Sequence, residues 1–148
     1  QGTLIETPGA VTDQRLIKAD VLDLCQRFNV GEVVFDPWHS GQMAVELAEE
    51  GLTCVEFRNS PSNMNTPMRE LDALITDERL LHDGGKPFAW MLGNVVNGGR
   101  RGTTDLHRPD KEKPENKIDG PVALIMALGR HIADEIERPL EIGADYSA

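Results

Sequence analysis

The chain has almost no cysteine: Cys25 and Cys54 stand alone, without the neighbours that a metal site or redox pair needs. Both sit in apolar segments, so they read as reduced, buried thiols of a cytosolic protein. Long apolar runs are missing too. The longest, residues 121–128, falls far short of the roughly 20 residues of a membrane span, and no membrane partner is expected. His39, His82, His107 and His131 lie at no ligand spacing. There is no Gly-x-x-x-x-Gly-Lys-Ser/Thr loop, which excludes a P-loop ATPase. Gly98-Gly99 is too short for a dinucleotide fingerprint, and no serine sits in a nucleophile elbow. The start, Gln1-Gly2-Thr3-Leu4, has neither an initiator Met nor a charged signal-peptide opening. It reads as a cut inside a longer polypeptide.

Positive charge is scarce. The net charge is −10, which argues against a protein that simply coats nucleic acid. Its distribution is uneven. Residues 100–117 carry six basic side chains (Arg100, Arg101, Arg108, Lys111, Lys113, Lys117) against four acids, while the remainder carries nine against twenty-one. On charge alone this stretch is a solvated loop, but it leads straight into Asp119.

What is present alternates. Residues 2–6 are short and extended, and Thr7-Pro8-Gly9 ends them in a turn. Asp13 caps a helix to about Phe28, with Ile17, Val21, Leu24 and Phe28 on one inward face. A buried strand covers 32–35. A helix over 40–50 turns Met43, Ala44, Leu47 and Ala48 inward and stops at Gly51. A strand covers 52–57, and after a polar turn at 59–63 a third helix is striped by Met64, Met68, Leu71 and Ile75. A short helix at 87–94 packs Phe88, Met91 and Leu92. Val95-Val96 leads to a hairpin tip at 98–102, followed by a mobile loop to Asn116. The last helix runs over 118–136. Strand-helix-strand order with short connections indicates an α/β fold with a parallel sheet flanked by helices.

Two acids stand out. Asp36 closes the first strand in Phe35-Asp36-Pro37-Trp38, with His39 three residues away. It serves equally well as a helix cap or as a site residue. Asp119 opens a helix apolar on nearly every side, so it is expected to be buried, at a cost of several kcal/mol unless a cation or metal compensates. Two acids at one sheet edge, with no Cys/His cluster, suggest Mg²⁺ or Mn²⁺. Lys117 is either solvent-exposed or a phosphate neutraliser beside Asp119.

The Thr7-Pro8-Gly9 turn, Phe35-Asp36-Pro37-Trp38, Trp90-Met91-Leu92-Gly93-Asn94-Val95 and Lys117-Ile118-Asp119-Gly120-Pro121-Val122-Ala123-Leu124 resemble in order and spacing the C-terminal nuclease of tailed-bacteriophage terminase large subunits. The resemblance runs from about Gly2 to Arg130. It implies an RNase H-like mixed sheet flanked by helices, lacking its first strands, with 1–136 as an N-terminally incomplete nuclease domain and 137–148 as a C-terminal tail. It implies an endonuclease that cuts double-stranded concatemeric DNA during packaging in the cytoplasm of the bacterial host. Asp36 and Asp119 are then the catalytic, metal-binding acids of a two-metal Mg²⁺ or Mn²⁺ site. A further first-strand Asp of the family lies upstream of this chain, so the chain by itself is expected to bind metal weakly and cut poorly. Arg100, Arg101, Lys111, Lys113 and Lys117 would contact DNA phosphates. The terminase small subunit and portal would be partners of the parent protein, and an exposed sheet edge invites self-association. Two alternatives remain open: another RNase H-like nuclease such as a resolvase, and a non-catalytic docking or regulatory module in which both acids are helix caps.

Overall fold

A computed structural model describes residues 5–7, 12–38, 40–98 and 106–137. Along the chain come α1 (Gln14–Arg27), β1 (Val33–Phe35), α2 (Gly41–Glu49), β2 (Cys54–Glu56), α3 (Pro61–Thr76), α4 (Lys86–Gly93), β3 (Val95–Asn97), β4 (Pro109–Lys111) and α5 (Asp119–Glu137). The class is α/β, as expected. β1 and β2 pair in parallel, with Val34 opposite Val55, and α2 provides the crossover that parallel strands require. β3 and β4 pair antiparallel, with Val96 opposite Asp110. Most of the expected loop after the hairpin tip is described from residue 106 onward, and part of it is therefore strand.

One expectation changes. In place of a single mixed sheet, the described residues form two separate two-stranded sheets. The β3–β4 hairpin lies against α3, where the His107 N–H donates to Asn65 Oδ1 at 2.8 Å. Ile5, Glu6 and Thr7 form no strand. The rest of the expected opening segment and turn, most of the hairpin tip, and residues 138–148 of the tail lie outside the described residues.

Local chemistry sets the helix ends. Asp13 caps α1 by accepting the Arg15 N–H at 2.9 Å, satisfying one of the first-turn donors. The inward face expected for α1 is not buried: Ile17, Leu24 and Phe28 are all exposed, and α1 has no buried residue. It rests beside α2 through a Lys18–Glu50 ion pair of 2.9 Å. In α2, Ala44 and Leu47 are buried as expected, whereas Ala48 faces out. Gly51, at φ 91°, ends that helix in a conformation that favours glycine. α3 starts earlier than its apolar stripe suggested. Ser60 accepts the Asn63 N–H at 3.3 Å, and Pro61 occupies the first turn, where its missing N–H costs nothing. The polar 59–63 segment is therefore largely the opening of the helix.

The core sits between α3 and α5. Met64, Leu71, Ile125 and Met126 are buried, with Val34, Phe57, Met68 and Leu128 packed against them. Ile75, at the far end of the stripe, is exposed. α5 buries one face only: Pro121, Ile125 and Met126 point in, while Ala123 and Ala127 face solvent. Gly129 makes the α5 contact close, since a Cβ there would lie 2.6 Å from Phe57 Cζ and 3.2 Å from Pro67 Cγ. The Arg130 guanidinium closes the packing by donating to Glu32 Oε1 at 2.6 Å and Oε2 at 3.1 Å, just before β1.

Candidate active site

Asp36 leaves β1 half-buried. Its Oδ1 accepts the Trp38 N–H at 3.0 Å and its Oδ2 accepts the Asn59 N–H at 3.3 Å. The Ser40 hydroxyl donates to its carbonyl. The helix-cap alternative fits poorly, because Ser40 and not Asp36 occupies the N-cap of α2. The carboxylate instead joins the end of β1 to the loop after β2, and each oxygen keeps a lone pair for another donor or cation. It borders a cavity of about 430 Å³ lined also by Pro37, Trp38, Arg58, Asn59 and Ser60. Sequence reasoning missed Arg58, Asn59 and Ser60 as neighbours. The available signal was the parallel pairing of the two strands, because their carboxyl ends open onto one crevice.

Asp119 is the first residue of α5, and it is exposed. The expected burial penalty therefore does not arise. Its side chain makes no hydrogen bond or ion pair among the described residues, and an acid in the first helical turn is favoured by the helix dipole. Next to it, Gly120 seats α5 on α4: a Cβ there would lie 3.1 Å from both Met91 Cε and Phe88 Cδ2. Lys117 is exposed, and its carbonyl accepts from Asn94 Nδ2 at 3.1 Å. Lys113 is exposed too. Lys111 is half-buried, with its ammonium donating to the Pro114 carbonyl at 3.0 Å. Arg100, Arg101 and His39 lie outside the described residues. Asp110 pairs with Arg108 at 3.8 Å.

The contacts hold the two acids apart. α3 and α5 pack antiparallel: Gly129 meets Pro67, while Pro121 shares a small cavity with Ile75. Asp36 is tied to Asn59 at the start of α3, and Asp119 begins α5 beside the far end of α3. That helix has 16 residues, or about 24 Å at helical rise. Among the described residues there is no group of three or more His, Cys, Asp or Glu side chains able to hold a metal ion. The described residues therefore do not by themselves fit a two-ion centre, which needs several oxygen ligands around each ion.

The family model for "Terminase large subunit, endonuclease domain" matches residues 1–135. The chain belongs to this family. Among its relatives, Protein YmfN of Escherichia coli (strain K12) is 40% identical over 139 residues, covering 94% of this chain and 30% of that protein. The large terminase subunit of Enterobacteria phage HK97 is 31% identical over 133 residues, covering 87% of this chain and 26% of that protein. The crystal structure of the HK97 bacteriophage large terminase superposes with a TM-score of 0.69 at 28% identity, covering 84% of this chain and 26% of that one. This terminase-family chain thus spans less than a third of the curated relatives it matches. No helix among its described residues is long and apolar enough to cross a membrane.

Proposed function

We propose that this chain is the DNA-cutting part of a phage-type terminase large subunit, cleaving double-stranded concatemeric DNA during packaging in the host cytoplasm with Mg²⁺ or Mn²⁺. The observation that carries the reading is the family match over residues 1–135, reinforced by the HK97 structural likeness. Residues 1–136 are then the nuclease unit, of RNase H-like descent, and 137–148 its tail. Double-stranded DNA is the substrate, and a small subunit and portal are partners of the longer polypeptide.

Asp36 and Asp119 are each proposed as a metal-binding acid of the nuclease, at separate places in the described fold. Asp36 borders a cavity, and Asp119 is exposed, with no side-chain hydrogen bond or ion pair among the described residues. Each acid is held by its own element, Asp36 at the end of β1 and Asp119 at the start of α5. Lys111, Lys113 and Lys117, with Arg100 and Arg101, supply the positive charge through which DNA phosphates approach.

The test is plasmid nicking with Mg²⁺ and with Mn²⁺, by the chain and by a version lengthened at its start toward the length of its relatives. Asp36→Asn and Asp119→Asn are made singly in the lengthened version. Cleavage by the lengthened protein that falls at least a hundredfold in each variant supports the assignment. Full cleavage in either variant removes that acid from the site, and a lengthened protein that cuts with neither metal removes the nuclease reading.

A further inference from the structure

Beside Asp36 the chain displays a feature that the nuclease reading does not use. Trp38, two residues past the acid, is 79% exposed. An indole offers a broad apolar π-face with a polar N–H at its edge, the combination enriched at binding surfaces. Arg58 stands in the lining of the same cavity, 74% exposed. Among the described residues its ion pair is with Glu56, long at 3.9 Å and highly exposed, so its guanidinium is weakly committed. Asn59 and Ser60 complete the lining, with the Ser60 and Ser62 hydroxyls 2.9 Å apart. One rim thus gathers a planar aromatic face, a cation and small polar groups around a carboxylate. Its volume of about 430 Å³ is in the range of small-molecule clefts.

We propose that Trp38 and Arg58 form a DNA-strand grip beside Asp36: Arg58 holds a backbone phosphate, and Trp38 stacks on an unpaired base next to it. The grip rests on the proposed nuclease function for its substrate, and goes beyond it in assigning two residues and a preferred DNA form. Stacking on an indole is tolerant of sequence, because every base has a π-face. A guanidinium at the same rim fixes the neighbouring phosphate without reading sequence. The strand is thereby laid across the acid in a fixed register. A base must leave the duplex stack to reach Trp38, so the grip favours DNA that is already locally open.

The two residues differ in how they respond to salt. Removing a phosphate contact lowers the slope of log affinity against log salt by about one, whereas removing a stacking contact leaves that slope unchanged.

The test measures binding without divalent metal, in EDTA, by fluorescence anisotropy of labelled DNA. The probes are a fully paired duplex and the same duplex with a short unpaired stretch. The chain carries Trp90→Phe, so that Trp38 is its only tryptophan and its emission reports stacking directly. Expected are tighter binding of the open duplex and quenching of Trp38. Trp38→Ala should weaken open-duplex binding about tenfold at an unchanged salt slope, with Trp38→Phe in between. Arg58→Ala should weaken both probes and lower the slope by about one. Circular dichroism checks that each exposed-site variant keeps its fold.

Equal binding by wild type and Trp38→Ala, an unquenched Trp38, or a wild type that binds neither probe overturns the grip. An unchanged slope in Arg58→Ala overturns its phosphate half. The nuclease reading is judged separately by cleavage in Asp36→Asn. If Asp36→Asn still cuts while Trp38→Ala loses open-duplex binding, the metal-site assignment fails and the grip stands.

Discussion

Gly129→Ala sets two physical effects of opposite sign against each other. In an ordinary helix interior, Ala is favoured over Gly by about 1 kcal/mol. At Gly129 the added Cβ would lie 2.6 Å from Phe57 Cζ, 2.8 Å from Phe57 Cε2 and 3.2 Å from Pro67 Cγ. The ring cannot simply swing away, since Phe57 packs against the core of Met64, Leu71, Ile125 and Met126. Overpacking of this kind costs about 1–3 kcal/mol. With the clash on two sides, the upper half of that range applies, for a net loss of about 1–2 kcal/mol. At about 2–4 °C per kcal/mol for a chain of this size, Tm falls by several degrees. Urea unfolding followed by circular dichroism measures it. Gly93→Ala is the control, because nothing lies within 4 Å of its added Cβ, and it should be neutral or slightly stabilising. In a double-mutant cycle, Phe57→Leu should recover part of the Gly129→Ala loss, giving a coupling above about 0.5 kcal/mol. If Gly129→Ala matches or exceeds wild-type stability, the close approach of α5 to Phe57 is not what seats that helix.

Three further outcomes follow from other contacts. Glu32→Gln removes the charge that Arg130 grips at 2.6 and 3.1 Å, with both side chains roughly three-quarters covered; a loss of about 1 kcal/mol in the same urea assay is expected, and no change would mean the pair is solvent-compensated. Ser60→Ala strips the cap from α3 and should cost about 1 kcal/mol, while Ser60→Gly costs only tenths; equal losses would contradict a capping role. Hydrogen bonding to Glu50 raises the Lys18 ammonium above its ordinary 10.5, with burial opposing. This stabilisation is full below the unfolded lysine pKa and is lost as pH rises through the higher folded value, so Glu50→Gln should flatten the alkaline limb of the stability profile, and an unaltered limb refutes the linkage.

Much of the fold was legible because the signals were local. Asp13 and Phe28 bracket α1 as capping chemistry requires, and Gly51 marks the stop of α2. The parallel pairing of the first two strands followed from a helix being placed between them. Non-local facts were not legible. Periodicity finds the apolar stripe of α1 but does not show whether anything covers it, and here Ile17, Leu24 and Phe28 remain exposed. The apolar run after Asp119 suggested that the acid would be buried, yet α5 buries one face and the acid starts it on the solvent side. The neighbours of Asp36 depend on the loop after β2, 23 residues away in sequence. No local pattern announces that Asn59 meets it.

The Glu32–Arg130 contact joins residues 98 positions apart, and this has a consequence for biosynthesis. Met64 and Leu71 leave the ribosome well before Ile125 and Met126, the α5 side chains that share their core. At about 5–20 residues per second, the delay between Leu71 and Ile125 amounts to several seconds. During that interval the apolar side of α3 has no α5 to cover it, and the nascent chain offers a sticky surface to whatever is nearby. Completion of the core thus waits for α5, and a ribosome that stalls before Ile125 leaves a product whose α3 has no α5 side chains to close the interior.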